Sequence, residues 1–410
     1  MKSALLLLLC AMAPTAMEAQ VYDIDFAKPQ PVYTDELGYG YDVTSAPDKK
    51  NPSTPFYFSV KVPDGNYRVK VVLGGKKNSN TTVRAEGRRL LMDNIETSKA
   101  KELKTYEFAV NKRSPQIDEK NRVKIKDREK NYLAWDNRLT LEFNGTNPAV
   151  KSIHIEPANV TTIYLCGNST VVDQNFEPWA SWGQMITRWF GPDVAISNHA
   201  ESGLTARTFL GSLRLDKILS TLKEGDYVFV EFGHNDEKEK KPGDGAWYHY
   251  VYNLKIFVDQ VRAKGAEIVF CTPTQRRMFD KNKKNIVNTH GDFPAAMKMV
   301  AEREHVALID LNEMTRILFE TLGFENSKRA LVHYPAETYG KKLEDNTHFN
   351  PYGAYEVAKC VVMGMKQLNL PITKHLRTDW HDFNPAQPDD WSTFKWAPSL
   401  LTESNKPDGN

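Results

Sequence analysis

Three residues that lie far apart in the sequence have the side chains needed to cleave an ester through a covalent intermediate. Ser169 follows an apolar segment, and Asp345 precedes His348 by three positions. A serine hydroxyl is a weak nucleophile until a neighbouring imidazole takes its proton, and neutral His348 can do so near pH 7. The Asp345 carboxylate can hold the far ring nitrogen and stabilise the imidazolium. We therefore predict that Ser169, Asp345 and His348 form a catalytic triad.

Attack on an ester carbonyl creates a tetrahedral oxyanion, and two further segments supply hydrogen-bond donors for it. The predicted donors are the backbone N–H groups of Ser169 and Gly203 and the side-chain amide of Asn235. Losing one such donor typically costs about 3–4 kcal/mol of transition-state stabilisation. Each residue has an ordinary alternative role: a helix cap for the serine, a turn for the glycine or asparagine, and a packed or surface position for His348. Their occurrence together at strand ends favours the catalytic interpretation.

The second half of the chain has the hydrophobic pattern of alternating strands and helices. The predicted strands are short apolar runs at residues 162–167, 194–200, 227–233, 266–273 and 306–311. The predicted amphipathic helices cover residues 182–189, 213–222, 251–264, 294–304, 312–322 and 352–368. This alternation predicts an α/β fold with a flavodoxin-like, doubly wound parallel sheet over residues 160–370. Such sheets bind ligands beyond the carboxyl ends of their strands, where the serine, glycine and asparagine segments lie.

Residues 20–157 have a different pattern, with short strands separated by turn residues and no long helical period. This pattern predicts an N-terminal β-sandwich. Within it, FYFSVKVPDGNYRVKVVLG (56–74) is predicted to form a hairpin that turns at PDGN (63–66). Residues 371–410 contain Trp380, Trp391 and Trp396. Such aromatic content predicts an extension that packs on the body of the protein rather than a disordered tail.

The first residues, MKSALLLLLCAMAPTAMEA (1–19), have the pattern of a secretory signal peptide. One lysine precedes a short apolar run, small residues follow, and cleavage is predicted near Ala19. Leu9 precedes Cys10, where a lipoprotein would have a small residue. A secreted or periplasmic protein is therefore favoured over a surface lipoprotein. No later apolar run reaches transmembrane length, so membrane insertion is not expected.

The composition is that of a globular protein and does not indicate a nucleic-acid partner. The formal net charge is only +2 over 410 residues, so no strong positive field is expected. Cys166, Cys271 and Cys360 are too sparse for a disulfide framework and are predicted to be buried thiols. The spacing of cysteine and histidine residues matches no metal-ligand pattern, so no metal site is predicted.

The order of the polar segments resembles the SGNH (GDSL-like) hydrolase superfamily: a serine block, a glycine block, an asparagine block and then Asp-x-x-His. Finer detail is similar to the rhamnogalacturonan acetylesterases among the carbohydrate esterases. The supporting stretches are WASWGQMI (179–186), ISNHAESGLTARTF (196–209), VEFGHND (230–236), TPTQRR (272–277) and DNTHFNPYGA (345–354). The resemblance implies that Ser169 is the nucleophile and that Asp345 and His348 complete the triad. It also implies the same three oxyanion donors and no cofactor.

One position departs from the family pattern. The family usually has Gly-Asp-Ser where this chain has Gly167, Asn168 and Ser169. That aspartate is not the acid of the triad, and an amide keeps its acceptor and turn-forming capacity while losing the charge. We therefore expect near-full activity with Asn168.

The resemblance implies a substrate as well: acetyl groups on a pectic, hence acidic, polysaccharide. Trp179 and Trp247 are candidate contacts for sugar rings, because aromatic residues in exposed loops often bind ligands. Arg276 follows the fourth strand and could attract a galacturonate carboxylate, since arginine binds carboxylates bidentately. The alternatives are core packing for the tryptophans and an ordinary salt bridge for Arg276. The N-terminal domain resembles the galactose-binding-like sandwiches of secreted glycan enzymes, a likeness of architecture only.

Two other functions stay open at this point. A lipase or thioesterase of the same superfamily would have an apolar groove of acyl length, whereas the expected rim residues are aromatic, polar and basic. A non-catalytic glycan-binding protein would have a decayed site, whereas the serine, histidine, aspartate and asparagine set is intact.

Overall fold

The structure is a computed structural model that describes residues 20–44, 54–98 and 102–408. The predicted signal peptide at residues 1–19 lies outside the described residues. The N-terminal half contains antiparallel sheets, and the C-terminal half is built on a parallel sheet covered by helices. Among the described residues, no helix combines the length and the apolar character that a membrane crossing requires.

The N-terminal half consists of two antiparallel sheets that share one apolar core. The strands are β1 (Tyr22–Asp25), β2 (Tyr39–Asp42), β3 (Phe56–Lys61), β4 (Gly65–Leu73), β5 (Ser79–Ala85), β6 (Arg89–Thr97), β7 (Lys104–Lys112), β8 (Arg138–Asn144) and β9 (Val150–Pro157). One sheet has the strand order β1-β9-β4-β7, and the other has the order β2-β3-β8-β5-β6. Val69 and Ile153 of the first sheet belong to the same buried cluster as Val60 and Leu141 of the second.

The predicted hairpin at residues 56–74 is wrong, because its two strands belong to different sheets. β3 pairs with β2 and β8, whereas β4 pairs with β7 and β9. The turn between them therefore carries the chain from one sheet to the other. Asp64 in this turn accepts from Lys112 at 2.9 Å and from Lys217 at 2.8 Å. Alternation along a strand shows which side chains are buried but does not identify the strand's partner.

The C-terminal half contains a parallel sheet in the predicted doubly wound order. Its strands are β10 (Thr161–Cys166), β11 (Val194–Asn198), β12 (Tyr227–Val230), β13 (Glu267–Cys271) and β14 (Ala307–Ile309). The order in space is β11-β10-β12-β13-β14, and all neighbours are parallel. The prediction of a parallel sheet of this type is therefore confirmed. The strand order reverses direction at β10, so the carboxyl ends of β10, β11 and β12 meet at the usual ligand-binding edge.

Helices cover both faces of the parallel sheet. They are α1 (Trp182–Met185), α2 (Ala206–Gly211), α3 (Arg214–Leu219), α4 (Val251–Arg262), α5 (Phe293–Glu304), α6 (Leu311–Asn326), α7 (Ala336–Tyr339) and α8 (Pro351–Gln367). Ile163 and Leu165 of β10 pack in one buried cluster with α1, α6 and α8. Tyr164 and Cys166, on the opposite face of the same strand, pack with α2, α3, α4 and α5. A strand buried on both faces has this nearly continuous apolar sequence.

A small antiparallel ladder before α8 was not predicted. It joins β15 (Leu331–Tyr334) and β16 (Leu343–Phe349). The register shifts within it: Leu331 lies opposite Phe349 and His333 opposite Glu344, so two steps along one strand match five along the other. The surplus residues form a bulge that contains Asp345 and His348. Such bulges re-aim side chains and often lie beside functional sites.

A buried ion pair joins the two halves. Glu129 lies in a short 3₁₀ helix, Asp127–Asn131, of the N-terminal half, and Arg214 begins α3. Both side chains are 1% exposed, and Arg214 Nη2 donates to the two Glu129 oxygens at 2.8 and 2.6 Å. Arg214 Nη1 also donates to the carbonyl of His199 at 3.1 Å. This pair therefore holds the short helix against the loop that follows β11.

We expect Arg214→Met to lower the free energy of unfolding by about 3–5 kcal/mol, because it leaves the Glu129 carboxylate buried without its partner. Urea unfolding measures the loss. Arg303→Met is the matched control, since Arg303 is exposed and its one ion pair among the described residues is with the adjacent Glu304. The double variant Glu129→Leu/Arg214→Met should recover part of the loss. A single variant as stable as the control would contradict the role given to this pair.

The described part of the C-terminal segment, residues 371–408, lies against both halves. Trp380 packs edge-on against Trp189 with the ring centroids 5.1 Å apart. Trp396 lies under the Arg84 guanidinium, and its indole N–H donates to Glu177 at 2.9 Å. The Ser399 hydroxyl lies 2.8 Å from that of Tyr57. The segment therefore contacts both halves, and near its end Lys406 Nζ lies 3.3 Å from Asp345 Oδ2.

Candidate active site

The serine segment is a tight turn immediately after β10. Gly167 has no room for a side chain, since an added Cβ would lie 2.5 Å from a methyl group of Val171. Asn168 Oδ1 accepts from the N–H and the hydroxyl of Thr170 at 3.2 and 3.0 Å, which closes the turn. Ser169 at its centre is 4% exposed. The amide of Asn168 thus supplies the acceptor expected of it.

The structure brings Ser169, His348 and Asp345 together. Ser169 Oγ lies 2.9 Å from His348 Nε2, and His348 Nδ1 lies 2.9 Å from Asp345 Oδ2. With the ring proton on Nδ1, the imidazole donates to the carboxylate and accepts from the serine hydroxyl. This is the arrangement that a serine nucleophile and its general base require.

The Asp345 carboxylate is oriented by the bulged backbone of β16. Its Oδ1 accepts from the N–H groups of Thr347 and His348 at 2.7 and 2.9 Å, which leaves Oδ2 for the imidazole. Burial acts to raise the pKa of Asp345, but the hydrogen bond and charge of His348 and these two N–H donors outweigh it and hold the pKa well below its usual range. The Asp345 carboxylate is therefore expected to be ionised at neutral pH.

The predicted oxyanion donors lie at three adjacent strand ends, after β10, β11 and β12. The N–H of Glu201 donates to the carbonyl of Gly167 at 3.2 Å. This bond ties the loop that contains Gly203, the glycine loop, to the turn that contains Ser169, the serine turn. Gly203 has φ +80°, a conformation that favours glycine. Asn235 Nδ2 donates to the carbonyl of Leu204 at 3.1 Å, which ties the asparagine loop to the glycine loop. The role of these groups as an oxyanion hole stays a prediction.

A buried carboxylate below the serine turn was missed by the sequence reasoning. Glu231, 0% exposed, lies 2.8 Å from the Thr170 hydroxyl oxygen and accepts from the indole N–H of Trp182. Burial raises the pKa of Glu231 to about 7, although these hydrogen bonds act to lower it. The signal was available, because Glu231 is an acidic residue inside the apolar run YVFVEF (227–232). It connects the serine turn to the core of the sheet.

The candidate substrate contacts lie in different environments. Trp179 is 4% exposed and meets the His348 ring edge-on, with centroids 5.7 Å apart, so it forms part of the wall beside the imidazole. Trp247 is 47% exposed, and its indole N–H donates to Asp292 at 2.8 Å. Arg276 is paired with Glu237 at 2.6 Å, the salt bridge considered as its alternative role. Contact of these residues with substrate stays a prediction.

One group of side chains near Asn235 has metal-ligand chemistry: Asp236, Glu239 and His249 have oxygen and nitrogen atoms within 4.8 Å of one another. The Asp236 carboxylate and one oxygen of Glu239 already have protein donors, and the other Glu239 oxygen lies 2.6 Å from His249 Nε2. Asp236 accepts from the N–H groups of Ala206 and Gly233, and Arg207 Nη2 donates to Glu239 at 2.6 Å. The guanidinium therefore supplies the positive charge that a cation would bring.

Comparison with known proteins finds a family model and sequence relatives that match the C-terminal half of the chain. The model of the GDSL-like lipase/acylhydrolase family matches residues 165–355. The chain is 41% identical over 219 residues to the rhamnogalacturonan acetylesterase RhgT of Bacillus subtilis strain 168, a match that covers 52% of this chain and 93% of that protein. It is 33% identical over 217 residues to the probable rhamnogalacturonan acetylesterase YesY of the same strain, covering 52% of this chain and 96% of that one.

Among solved structures, the crystal structure of YxiM from Bacillus subtilis covers 86% of this chain and 99% of its own, with 23% sequence identity and a TM-score of 0.47. The family and the enzyme class predicted from the sequence, an ester hydrolase, are confirmed by the sequence relatives. The chain belongs to the GDSL-like lipase/acylhydrolase family.

Proposed function

We propose that the protein is a secreted serine esterase that removes acetyl groups from an acidic pectic polysaccharide such as rhamnogalacturonan. The observation that carries this proposal is the hydrogen-bonded series from Ser169 Oγ through the His348 ring to Asp345. The names of the relatives RhgT and YesY support the choice of substrate. The secretory pattern of residues 1–19 supports the location.

The distances between Ser169, His348 and Asp345 support the following order of proton transfers. His348 Nε2 takes the proton of Ser169 as Oγ bonds to the acetyl carbonyl carbon, and the imidazolium that forms is stabilised by Asp345. The carbonyl oxygen becomes an oxyanion that accepts from the N–H groups of Ser169 and Gly203 and the amide of Asn235. His348 then gives its proton to the sugar oxygen, and the bond between that oxygen and the acetyl carbonyl carbon breaks. A water molecule, deprotonated by His348, then attacks the acetyl carbonyl carbon of the acetyl-enzyme. His348 returns the proton to Ser169 Oγ as acetate is released.

The polar character of the adjacent cavity favours a small acyl group on a hydrated sugar over a long acyl chain. A cavity of about 240 Å³ has a mixed lining, in which Val172, Phe176 and Trp179 alternate with the charged and amide side chains of Arg128, Gln174, Asn175 and Lys406. Burying a long hydrocarbon chain against charged and amide groups would leave those groups without water or hydrogen-bond partners, which is unfavourable. This supports the acetylesterase over the lipase or thioesterase.

Acetate release from a panel of acetylated polysaccharides tests the proposal, with p-nitrophenyl esters of increasing acyl length alongside. We expect release from acetylated rhamnogalacturonan and a preference for acetate among the p-nitrophenyl esters. A preference for octanoate or longer chains would instead support the lipase. Binding of pectin with no release of acetate would support the non-catalytic alternative.

We propose Trp247 as a platform for a sugar ring, because it is 47% exposed and its ring is held by the bond to Asp292. Trp247→Phe should retain most of the contact, whereas Trp247→Ala should raise the KM for the acetylated polysaccharide about threefold to tenfold, as for a loss of roughly 1 kcal/mol. Neither variant should change the kinetics with p-nitrophenyl acetate, which has no sugar. Equal effects of Trp247→Ala on both substrates would contradict this role.

We also propose the following division of the chain: a signal peptide at 1–19, a galactose-binding-like β-sandwich at 20–157, the catalytic domain at 160–370 and an extension at 371–410. The shared core of the two antiparallel sheets supports the sandwich. The family match at residues 165–355 supports the catalytic domain.

A further inference from the structure

Two cationic side chains of the N-terminal half, Lys126 and Arg128, lie beside the glycine loop of the C-terminal half, which is called the catalytic half below. Lys126 and Arg128 belong to the segment that the Glu129–Arg214 pair holds in place. Lys126 Nζ donates to the carbonyl of Ser202 at 2.6 Å, and Arg128 Nη2 donates to the same carbonyl at 3.2 Å. Because Ser202 precedes Gly203, both charges lie next to a proposed oxyanion donor.

The two cations exceed the negative charge that faces them from the catalytic half. Arg128 pairs with Glu201, which is 2% exposed. Burial raises the pKa of Glu201, and the charge of Glu129 raises it further, against the effect of Arg128. Within the C-terminal half as far as residue 370, the recorded partner of Lys126 is the Ser202 carbonyl and not a carboxylate. The lysine and arginine side chains are 32% and 29% exposed, so a ligand can reach them.

A carboxylate from the C-terminal segment occupies this position. Asp408 Oδ2 lies 3.1 Å from Lys126 Nζ and 2.7 Å from Arg128 Nη1. Partial burial acts to raise the pKa of Asp408, but the hydrogen bond from Lys126 and the charge of Arg128 outweigh it and lower the pKa. The Asp408 side chain is 54% exposed. Such a partly exposed ion pair is weak and can be exchanged for a ligand carboxylate.

Asp408 also lies directly over the glycine loop. A Cβ added to Gly203 would come within 3.0 Å of Asp408 Cβ and 3.3 Å of Lys126 Nζ. Two residues earlier, Lys406 Nζ lies 3.3 Å from Asp345 Oδ2 of the triad. Both Lys406 and Asp408 line the same cavity as Arg128. A group bound in place of the Asp408 carboxylate would therefore be next to the reacting centre.

We propose that Lys126 and Arg128 form a subsite for a uronic-acid carboxylate of the glycan, and that Asp408 occupies this subsite when no glycan is bound. The proposal rests on the proposed function and extends it, since it assigns recognition of the acidic sugar to the N-terminal half. Arg128 Nη1, which now faces Asp408, can donate to a ligand carboxylate while the Lys126 ammonium supplies a second charge. Asp408 is then a competitor within the chain that the substrate must displace.

Calorimetric titration of the full chain with unacetylated oligogalacturonate tests the subsite without relying on turnover. We expect Asp408→Asn to bind about fivefold more tightly than the wild type, because the internal competitor has lost its charge. Lys126→Gln and Arg128→Gln should each bind roughly fivefold more weakly than the wild type. A neutral galacto-oligosaccharide should bind all four proteins equally. These differences should shrink at about 1 M salt, which screens the charges.

Two control variants remove the same kinds of charge at positions outside the proposed subsite. Lys130→Gln removes an exposed lysine from the same short helix, where it pairs with Asp127. Asp390→Asn removes an exposed carboxylate from the C-terminal segment, where it accepts from Ser392. Both should bind oligogalacturonate like the wild type. An effect as large as those of Lys126→Gln or Asp408→Asn would show that only overall charge matters and would overturn the proposal.

Other results would also overturn it. If Asp408→Asn binds no more tightly than the wild type, Asp408 is a structural tie rather than a competitor. If it gains affinity for the neutral oligosaccharide as well, the segment blocks the cavity sterically and no carboxylate subsite exists. If the variants change binding as expected but no substrate releases acetate, the proposed function fails while the subsite stands. If acetate is released but the variants do not change binding, the proposed function stands while the subsite fails.

Discussion

Replacing Ser169 with alanine is expected to lower the rate of acetate release by about four to six orders of magnitude, because no other atom supplies the nucleophile that His348 activates. Any residual rate would come from the oxyanion donors and from binding alone. Measurement of kcat with p-nitrophenyl acetate and with acetylated rhamnogalacturonan gives the effect. The fold should be unchanged, since the Ser169 hydroxyl bonds to the His348 ring rather than to the core of the sheet.

Ser212→Ala is the matched control for this experiment. Ser212 follows α2, and its hydroxyl donates to the carbonyl of Phe209 at 2.9 Å, so its loss removes a hydroxyl without touching the triad. Both variants should have the circular dichroism spectrum of the wild type and a Tm within a few degrees of it. If Ser169→Ala keeps more than a few per cent of the wild-type rate, the nucleophile is another residue.

Asp345→Asn is expected to reduce kcat by about four orders of magnitude with little change in KM, because it reverses a hydrogen bond. The oxygen of the introduced amide can still accept from the N–H groups of Thr347 and His348. Its NH₂ group would then face His348 Nδ1 as a donor, which favours the tautomer with the proton on Nε2. An imidazole in that form cannot take the proton of Ser169. Steady-state kinetics with p-nitrophenyl acetate give both constants.

The same substitution should change how stability depends on pH. The pKa of Asp345 is depressed in the folded protein, so its ionisation contributes stability above the unfolded pKa, near about 4, and this contribution is lost as the pH falls toward the folded pKa. Wild type should therefore be more stable than Asp345→Asn at about pH 7, and urea unfolding should show the difference shrinking below about pH 4. Asp280→Asn, an exposed aspartate whose pKa is also lowered by local hydrogen bonds, is the control for kcat and should retain full activity.

The places of the proposed catalytic residues in the fold could be predicted, because apolar runs and turn residues are recognisable within short stretches of sequence. An apolar run that ends in Gly167, Asn168 and Ser169 implies a buried strand followed by a turn, and the carboxyl ends of parallel strands meet at one edge of the sheet. Ser169, Gly203 and Asn235 therefore fall at neighbouring strand ends from pattern alone. Asp345 and His348 were expected together because of their spacing, and the structure places both in the bulged strand β16.

Other features depend on partners that the pattern along one segment does not specify. The run at residues 56–74 has the residues of a hairpin, yet its strands enter different sheets, where β3 pairs with β8 and β4 pairs with β9. Arg276 has the residue type of a carboxylate receptor, but Glu237 lies within reach and pairs with it. Such outcomes depend on which groups of distant segments meet, and burial then decides whether a charge is paired or left for a ligand.

The sequence by itself determined the parallel sheet, the edge at which its polar loops meet and the residue types of the triad, since hydrophobic period and turn chemistry act between near neighbours in the chain. Only the tertiary structure decided that Lys126 and Arg128 of the N-terminal half, and Asp408 of the C-terminal segment, lie over Gly203. Charges this far apart in the chain have no periodicity that links them. Packing of the two halves and the buried Glu129–Arg214 pair bring them together.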